Sequence, residues 1–243
     1  MKKGIGIVVA IAAICGLTWG FLELREEGYL SSYAAQPETP APLQAAGASF
    51  TYDFDHDTVG AMPAKFHSAR TGQGAASKWE VMADPNAPSK PNVVAQTSTD
   101  KTDYRFPLLI TDDGSFQDLN LRVKFKAVSG EVDRAGGLVF RLKDANNYYI
   151  VRANALEDNF RLYTYDRGRR QIASASVKAP ALGQWHAVRV VAVGDHIQAW
   201  LDGKLLLDHR DARFKSGRVG LWTKADSITA FADLTVRGVT AGA

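Results

Sequence analysis

Downstream of residue 50 the chain alternates apolar and polar positions with a period of two, the spacing of strands with one wet and one dry face. Phe50, Tyr52 and Phe54 interleave with Thr51 and Asp53 as a first strand, and Leu119 to Val128 repeats the pattern over a longer run. The stretch Ala135 to Ser174 reads as four short strands in succession, among them Gly137 to Leu142, Tyr148 to Asn154 and Phe160 to Tyr165. Trp185 to Val193, His196 to Leu201 and Lys204 to His209 form a meander joined by Gly194-Asp195 and Asp202-Gly203, whose glycines permit the positive φ of two-residue hairpin turns. Trp79 to Met82, Asn92 to Gln96, Phe106 to Ile110 and Gly217 to Thr223 are further strands, and Ile228 to Val236 is placed to pair with the first strand and close the domain. Asp55 to Ser77, rich in glycine and small residues, reads as a loop crossing the surface. No helical period with a cap follows Gly28. At least twelve strands at spacings of roughly 8 to 12 residues predict an all-β sandwich or jelly roll.

The N-terminus breaks this pattern. Lys2 and Lys3 precede an uncharged run from Gly4 to Leu22, near the length of a membrane-crossing helix. Residues 1–28 therefore read as a signal peptide or a signal anchor, a membrane-targeting helix in either case. Residues 29–49 read as a Pro/Ala-rich linker interrupted by Pro37, Pro40 and Pro42, and residues 50–238 as the β-sandwich domain. The lysines lie on one side of the run, and Glu23, Glu26 and Glu27 outweigh Arg25 on the other. The positive-inside rule then exports the bulk of the chain to a periplasmic or extracellular location, held at the inner membrane by residues 4–22 if the segment is retained. Ser32-Tyr33-Ala34 resembles a processing site but lies well beyond the apolar run. Cys15 is the single cysteine, so the exported domain has neither disulfide nor thiol nucleophile, and Ile14 before it is too large for lipid attachment. A net charge of +3, with basic residues scattered along the 243-residue chain, argues against a nucleic-acid partner.

Several motifs carry a resemblance. Trp79-Glu80-Val81, Ala87 to Asn92, Gly136-Gly137-Leu138-Val139-Phe140-Arg141, Asp144-Ala145-Asn146-Asn147-Tyr148-Tyr149, Arg152-Ala153-Asn154, Leu201-Asp202-Gly203-Lys204 and Gly220 to Ser227 resemble bacterial concanavalin A-like domains. More narrowly, they resemble the group labelled 3-keto-disaccharide hydrolase or family-16-like glycoside hydrolase domain. The resemblance runs from about Phe50 to Val236 and implies a jelly roll of two curved antiparallel sheets in an exported, sugar-linked protein.

Strand alternation sorts the candidate chemistry. It places Leu138, Phe140 and Leu142 on one face and Val139 with Arg141 on the other. Tyr148, Ile150, Arg152 and Asn154 share a face, as do Arg161, Tyr163 and Tyr165. If the polar sets line one concave sheet, Arg141, Arg152, Asn154, Arg161 and Tyr163, joined by Trp222 and Lys224, form a glycan-binding surface; otherwise they are cross-strand partners on a wet face. Glu131 and Asp133 suggest a retaining-glycosidase strand, but the third acid it needs would fall at Gly136, leaving a solvated turn. Glu157, Asp158 and Asp226 are the remaining acid or base candidates for a hydrolase acting on a 3-keto-disaccharide. Asp53 and Asp55, beside His56 and Asp57, together with Asp233 suit a structural calcium ion, though acidic strand ends also serve as turn residues, and no cofactor is required. Trp79, Trp185 and Trp200 read as packing, and His186 and His209 as strand residues without a partner. The expectation is an exported carbohydrate-recognising sandwich. A glycoside hydrolase-like enzyme and a laminin G-like structural or protein-interaction module are the alternatives.

Overall fold

The structure, a computed structural model, describes residues 43–89 and 91–241. The expected targeting segment 1–28 and most of the linker 29–49 lie outside the described residues. Among those residues there are strands and no helix, and hence no helix long and apolar enough to cross a membrane. In chain order the strands are β1 (Leu43–Tyr52), β2 (Phe66–Gly72), β3 (Trp79–Ala83), β4 (Asn92–Gln96), β5 (Arg105–Thr111), β6 (Leu119–Ser129), β7 (Ala135–Asp144) and β8 (Asn147–Asn154). They continue with β9 (Asn159–Asp166), β10 (Arg169–Ser176), β11 (His186–Val193), β12 (His196–Leu201), β13 (Lys204–Arg210), β14 (Arg218–Trp222) and β15 (Ile228–Ala241).

Two antiparallel sheets result. The first has eight strands in the order β13-β12-β11-β6-β15-β4-β3, with β1 added on β15; the second has seven, β10-β9-β8-β7-β14-β5-β2. The closure expected between first and last strands is present, but β1 begins at Leu43, inside the segment read as linker, with Leu43 opposite Ala241. Phe66–Gly72, expected to be loop, is the edge strand β2. Its own sequence is nearly without an apolar stripe, and pairing with β5 along its whole length supplies the order. At the β12–β13 turn Asp202 and Gly203 adopt φ of 50° and 80°, the left-handed pair a tight hairpin demands.

Alternation fills the space between the sheets. Leu119, Leu121, Val123 and Phe125 of β6 and Val188, Val190 and Ala192 of β11 point inward against Leu138, Val151, Leu162 and Leu221 of the second sheet. The second sheet is also dry on its outer face. Phe106, Leu108, Val139, Tyr148, Ile150 and Trp222 form a separate buried cluster there. Phe106 stacks on Trp222 at 5.7 Å between ring centroids, Tyr148 stacks on Tyr165 at 5.4 Å, and the Arg169 guanidinium lies 4.9 Å from the Phe106 ring centroid. Each such ring contributes on the order of 2 kcal/mol through burial. Desolvation of the phenols follows, pushing Tyr165 up to about 12.

Arg141 departs from its expected place. The register of β7 against β8 shifts between Phe140 and Asp144, and Arg141 takes φ 47°. This bulge turns Phe140 and Arg141 toward the same side and moves Leu142 to the outer cluster. Arg141 therefore does not share the outer face with Val139 as its spacing implies. Its fully buried guanidinium donates to the carbonyl oxygens of Gln117 at 2.9 Å and Phe214 at 3.2 Å, and pairs with Asp118 at 3.4 Å. Removing it strands those acceptors, so Arg141→Ala should cost about 3 kcal/mol in urea denaturation while leaving ligand affinity unchanged in the surviving folded protein.

Candidate functional site

The aromatic cluster covers most of the outer face of the second sheet, and polar chemistry gathers at one end of it. Pairing sets Trp222 opposite Gly137, Gly137 opposite Arg152 and Arg152 opposite Arg161, a row across β14, β7, β8 and β9. Glycine is required at position 137, because a Cβ there would lie 2.2 Å from the Val151 carbonyl oxygen and 2.8 Å from the Arg152 Cβ.

Arg152, only 4% exposed, is the centre of this end. Its Nη1 donates to Asn159 Oδ1 at 2.7 Å, and its Nη2 donates to Glu157 Oε2 at 2.8 Å and to the Tyr163 hydroxyl at 3.1 Å. Asn159 Nδ2 and Arg161 Nη1 reach the same Glu157 oxygen at 2.9 Å and 3.4 Å. Among the described residues no group donates to Glu157 Oε1, and the Glu157 side chain is 39% exposed. Burial alone would raise the Glu157 pKa; the bonds from Asn159 and Arg152 outweigh it and hold the carboxyl below its ordinary range. The arrangement is a fork of donors converging on Oε2, with Oε1 left without a protein donor among the described residues and the half-buried Arg161 beside it.

A second polar group adjoins it. Asn154 Nδ2 donates to Asp133 Oδ1 at 2.7 Å, and Lys224 Nζ pairs with Asp133 Oδ2 at 2.9 Å and with the exposed Asp103. Asp133 is thus no part of a solvated turn but 3% exposed. Burial pushes its pKa up despite Lys224, which divides its charge with Asp103; the same two acids hold Lys224 firmly protonated. Glu131, its neighbour in the rejected glycosidase pattern, faces water and pairs with Lys101 at 2.6 Å.

The other candidates are engaged elsewhere. Asp226 accepts the backbone N–H groups of Glu131, Val132 and Asp133 at 2.7, 3.0 and 3.1 Å, a clamp on the loop that carries Asp133. Those bonds overcome its burial and lower its pKa. Asp158 accepts the Ala179 N–H, and Trp222 is fully buried beneath the aromatic stack. The proposed calcium residues do not converge. Asp53 and Asp55 accept the N–H groups of Asp55 and Asn92, Asp233 pairs with Lys124 at 2.8 Å, and no set of three metal-binding side chains assembles among the described residues. Turn and pairing chemistry takes one oxygen of each. Trp200, read as core or inter-sheet packing, lies on the outer face of the first sheet, and His186 has a partner, Asp202, at 2.8 Å.

Two antiparallel sheets packed face to face form a lectin-like jelly-roll sandwich, with the arginine–carboxylate–tyrosine network on one outer face. Within that class, residues 68–237 match the family model of the 3-keto-alpha-glucoside-1,2-lyase-like domain, and the chain belongs to that family. It is also similar to levanase of Bacillus subtilis strain 168, with 30% identity over 42% of this chain and 15% of levanase, so it spans a small part of that relative. The carbohydrate binding module CBM66 from Bacillus subtilis has a similar fold, with TM-score 0.57 and 20% identity over 72% of this chain and 96% of the module. The carbohydrate recognition domain of Emp47p shares the fold at TM-score 0.50 and 14% identity, covering 78% of this chain and 94% of that domain.

The Asp226 clamp sets a pH dependence. A carboxyl whose pKa falls on folding stabilises above its unfolded value, near 3.8, and loses that contribution as pH drops through the lower folded value. Asp226→Ala should cost about 2 kcal/mol at neutral pH, and the gap to the wild type in urea denaturation should narrow below pH about 4.

Proposed function

We propose that the domain is an exported carbohydrate-recognition module whose site is the polar end of the second sheet's outer face. The observation that carries this reading is the Arg152–Glu157–Asn159–Tyr163 network, already hydrogen-bonded within the protein, in which Glu157 Oε1 has no protein donor among the described residues and Arg161 is half exposed. A carboxylate oxygen beside a guanidinium matches two neighbouring sugar hydroxyls, one donating and one accepting, and prior ordering reduces the entropy cost of binding. Similarity to a carbohydrate binding module, to a carbohydrate recognition domain and to part of levanase supports the same class of ligand. The Lys2-Lys3 and Gly4–Leu22 pattern supports export, with the first 28 residues as leader or membrane anchor.

A lyase is the second reading, favoured by the opposite pKa shifts of two neighbouring carboxyls. Glu157 is held ionised while Asp133 is pushed toward its neutral form. In a 1,2-elimination on a 3-keto-glucoside, Glu157 would take the C2 proton acidified by the ketone. The C1=C2 bond would form as the C1–oxygen bond breaks, and the departing oxygen would gain a proton from Asp133 or Lys224.

Titration calorimetry with levan and a panel of neutral polysaccharides tests the first reading. Binding to at least one glycan is expected, weakened tenfold or more, about 1.4 kcal/mol, in Arg152→Ala and in Glu157→Gln. Binding to none of them, or affinity unmoved by both variants, would sink it. Incubation with a 3-keto-disaccharide tests the second. Appearance of the unsaturated product's ultraviolet absorbance, lost in Glu157→Gln, is expected of a lyase; an unchanged substrate excludes it.

A further inference from the structure

Two adjoining concavities lie on the opposite side of the molecule from this site. A trough of about 450 Å³ crosses the outer face of the first sheet beside Trp200, and a smaller hollow of about 160 Å³ adjoins it. The pairing register explains what lines them. Trp200 stands opposite Arg189, Arg189 opposite Arg122 and Arg122 opposite Thr235, while Asn120 stands opposite Arg237 one step along. Residues far apart in sequence thus form one basic patch, although the charges are scattered along the chain.

Two like charges set directly across neighbouring strands, with Cβ atoms roughly 4.5–5.5 Å apart, destabilise a sheet unless something neutralises them. The outward residues of β6 make the contrast plain. Lys124 has Asp233 and Lys126 has Asp84, yet among the described residues Arg122, Arg189 and Arg237 have no acidic partner within ion-pair distance. Asp233, the acid lining the trough, is already taken by Lys124. Arg189 is also immobilised, its guanidinium 4.7 Å from the Trp200 ring centroid and its Nε donating to Asn120 Oδ1 at 3.0 Å. Burial, with a smaller contribution from Arg122, makes its charge costlier to hold. A bulge in β15 between Ala232 and Thr235, with Asp233 at φ 54°, turns Asp233 outward toward Lys124 and leaves Thr235 and Arg237 facing the hollow.

We propose that this face is a second saccharide site, specific for acidic sugars, with the sugar carboxylate held between Arg122, Arg189 and Arg237 and the ring lying in the trough beside Trp200. Planar guanidinium groups match a carboxylate's two oxygens, and the trough is within the size range of small-ligand pockets. The Asn120 amide and the Thr235 hydroxyl supply further hydrogen-bonding groups at the hollow. The site stands independently of the Arg152 site, since the two occupy outer faces of different sheets.

The test uses polygalacturonate as the acidic probe, neutral galactan as its uncharged counterpart and duplex DNA as an unrelated polyanion, in titration calorimetry at fixed salt. Polygalacturonate should bind, galactan and DNA at least tenfold more weakly. The Arg122→Gln, Arg189→Gln double variant should lose at least tenfold in affinity for polygalacturonate, whereas Arg152→Ala should leave it unchanged. The double variant removes a like-charge pair but also the Arg189 contacts with Trp200 and Asn120, so its melting temperature is measured alongside; a transition near that of the wild type assigns lost binding to the site rather than to unfolding. No binding of polygalacturonate, an unaffected double variant, equal binding of DNA, or loss caused by Arg152→Ala would overturn the proposal.

Discussion

A sheet that must stay dry on both faces governs this molecule. One face of the seven-stranded sheet packs against its partner sheet, as in any sandwich, but the other carries Phe106, Tyr148, Ile150 and Trp222, all removed from water. Hydrophobic side chains in such positions need a cover, and Arg169 laid over Phe106 and Tyr163 supplies part of it. The cover leaves one end of the sheet for polar groups, and there the chain concentrates its arginines, carboxylates and amides. Position therefore follows from dryness: the Arg152 network sits where the aromatic stack stops.

That network is held from two directions. From below, Gly137 gives Arg152 room against β7. From the side, Asp226 grips the backbone of the 131–133 loop, which sets Asp133, which in turn orients Asn154 and Lys224. A carboxylate that reads in sequence as a candidate acid thus serves the site as scaffold, and one that reads as a surface turn residue lies inside it. The difference is made by backbone N–H groups, which no side-chain pattern displays.

Period-two alternation made the strands of the core legible, because each inward residue is apolar for the same reason along its whole length, as Leu119 to Phe125 show. The Asp202-Gly203 turn was equally plain, since few other pairs tolerate two successive positive φ angles. Phe66–Gly72 was not legible, because an edge strand of His, Ser, Arg, Thr and Gly draws its order from β5. Nor was Arg141, whose face depends on a bulge that shifts the alternation by one residue. Arg152, Asn154, Arg161 and Tyr163 share a face as their spacing implies. Asp133 joined them, and Arg122, Arg189 and Arg237 assembled, only through strand register, a long-range property that local sequence does not encode.

The antiparallel pairing of β1 with β15 also has a mechanical meaning. Leu43 faces Ala241, so the two ends of the folded domain leave from one corner of one sheet. Tension applied between them would meet the β1–β15 hydrogen bonds one at a time, peeling the pair open like a zip, whereas strands pulled along their length would resist with all their bonds together. Under force applied between these two ends, β1 is the strand that would part first.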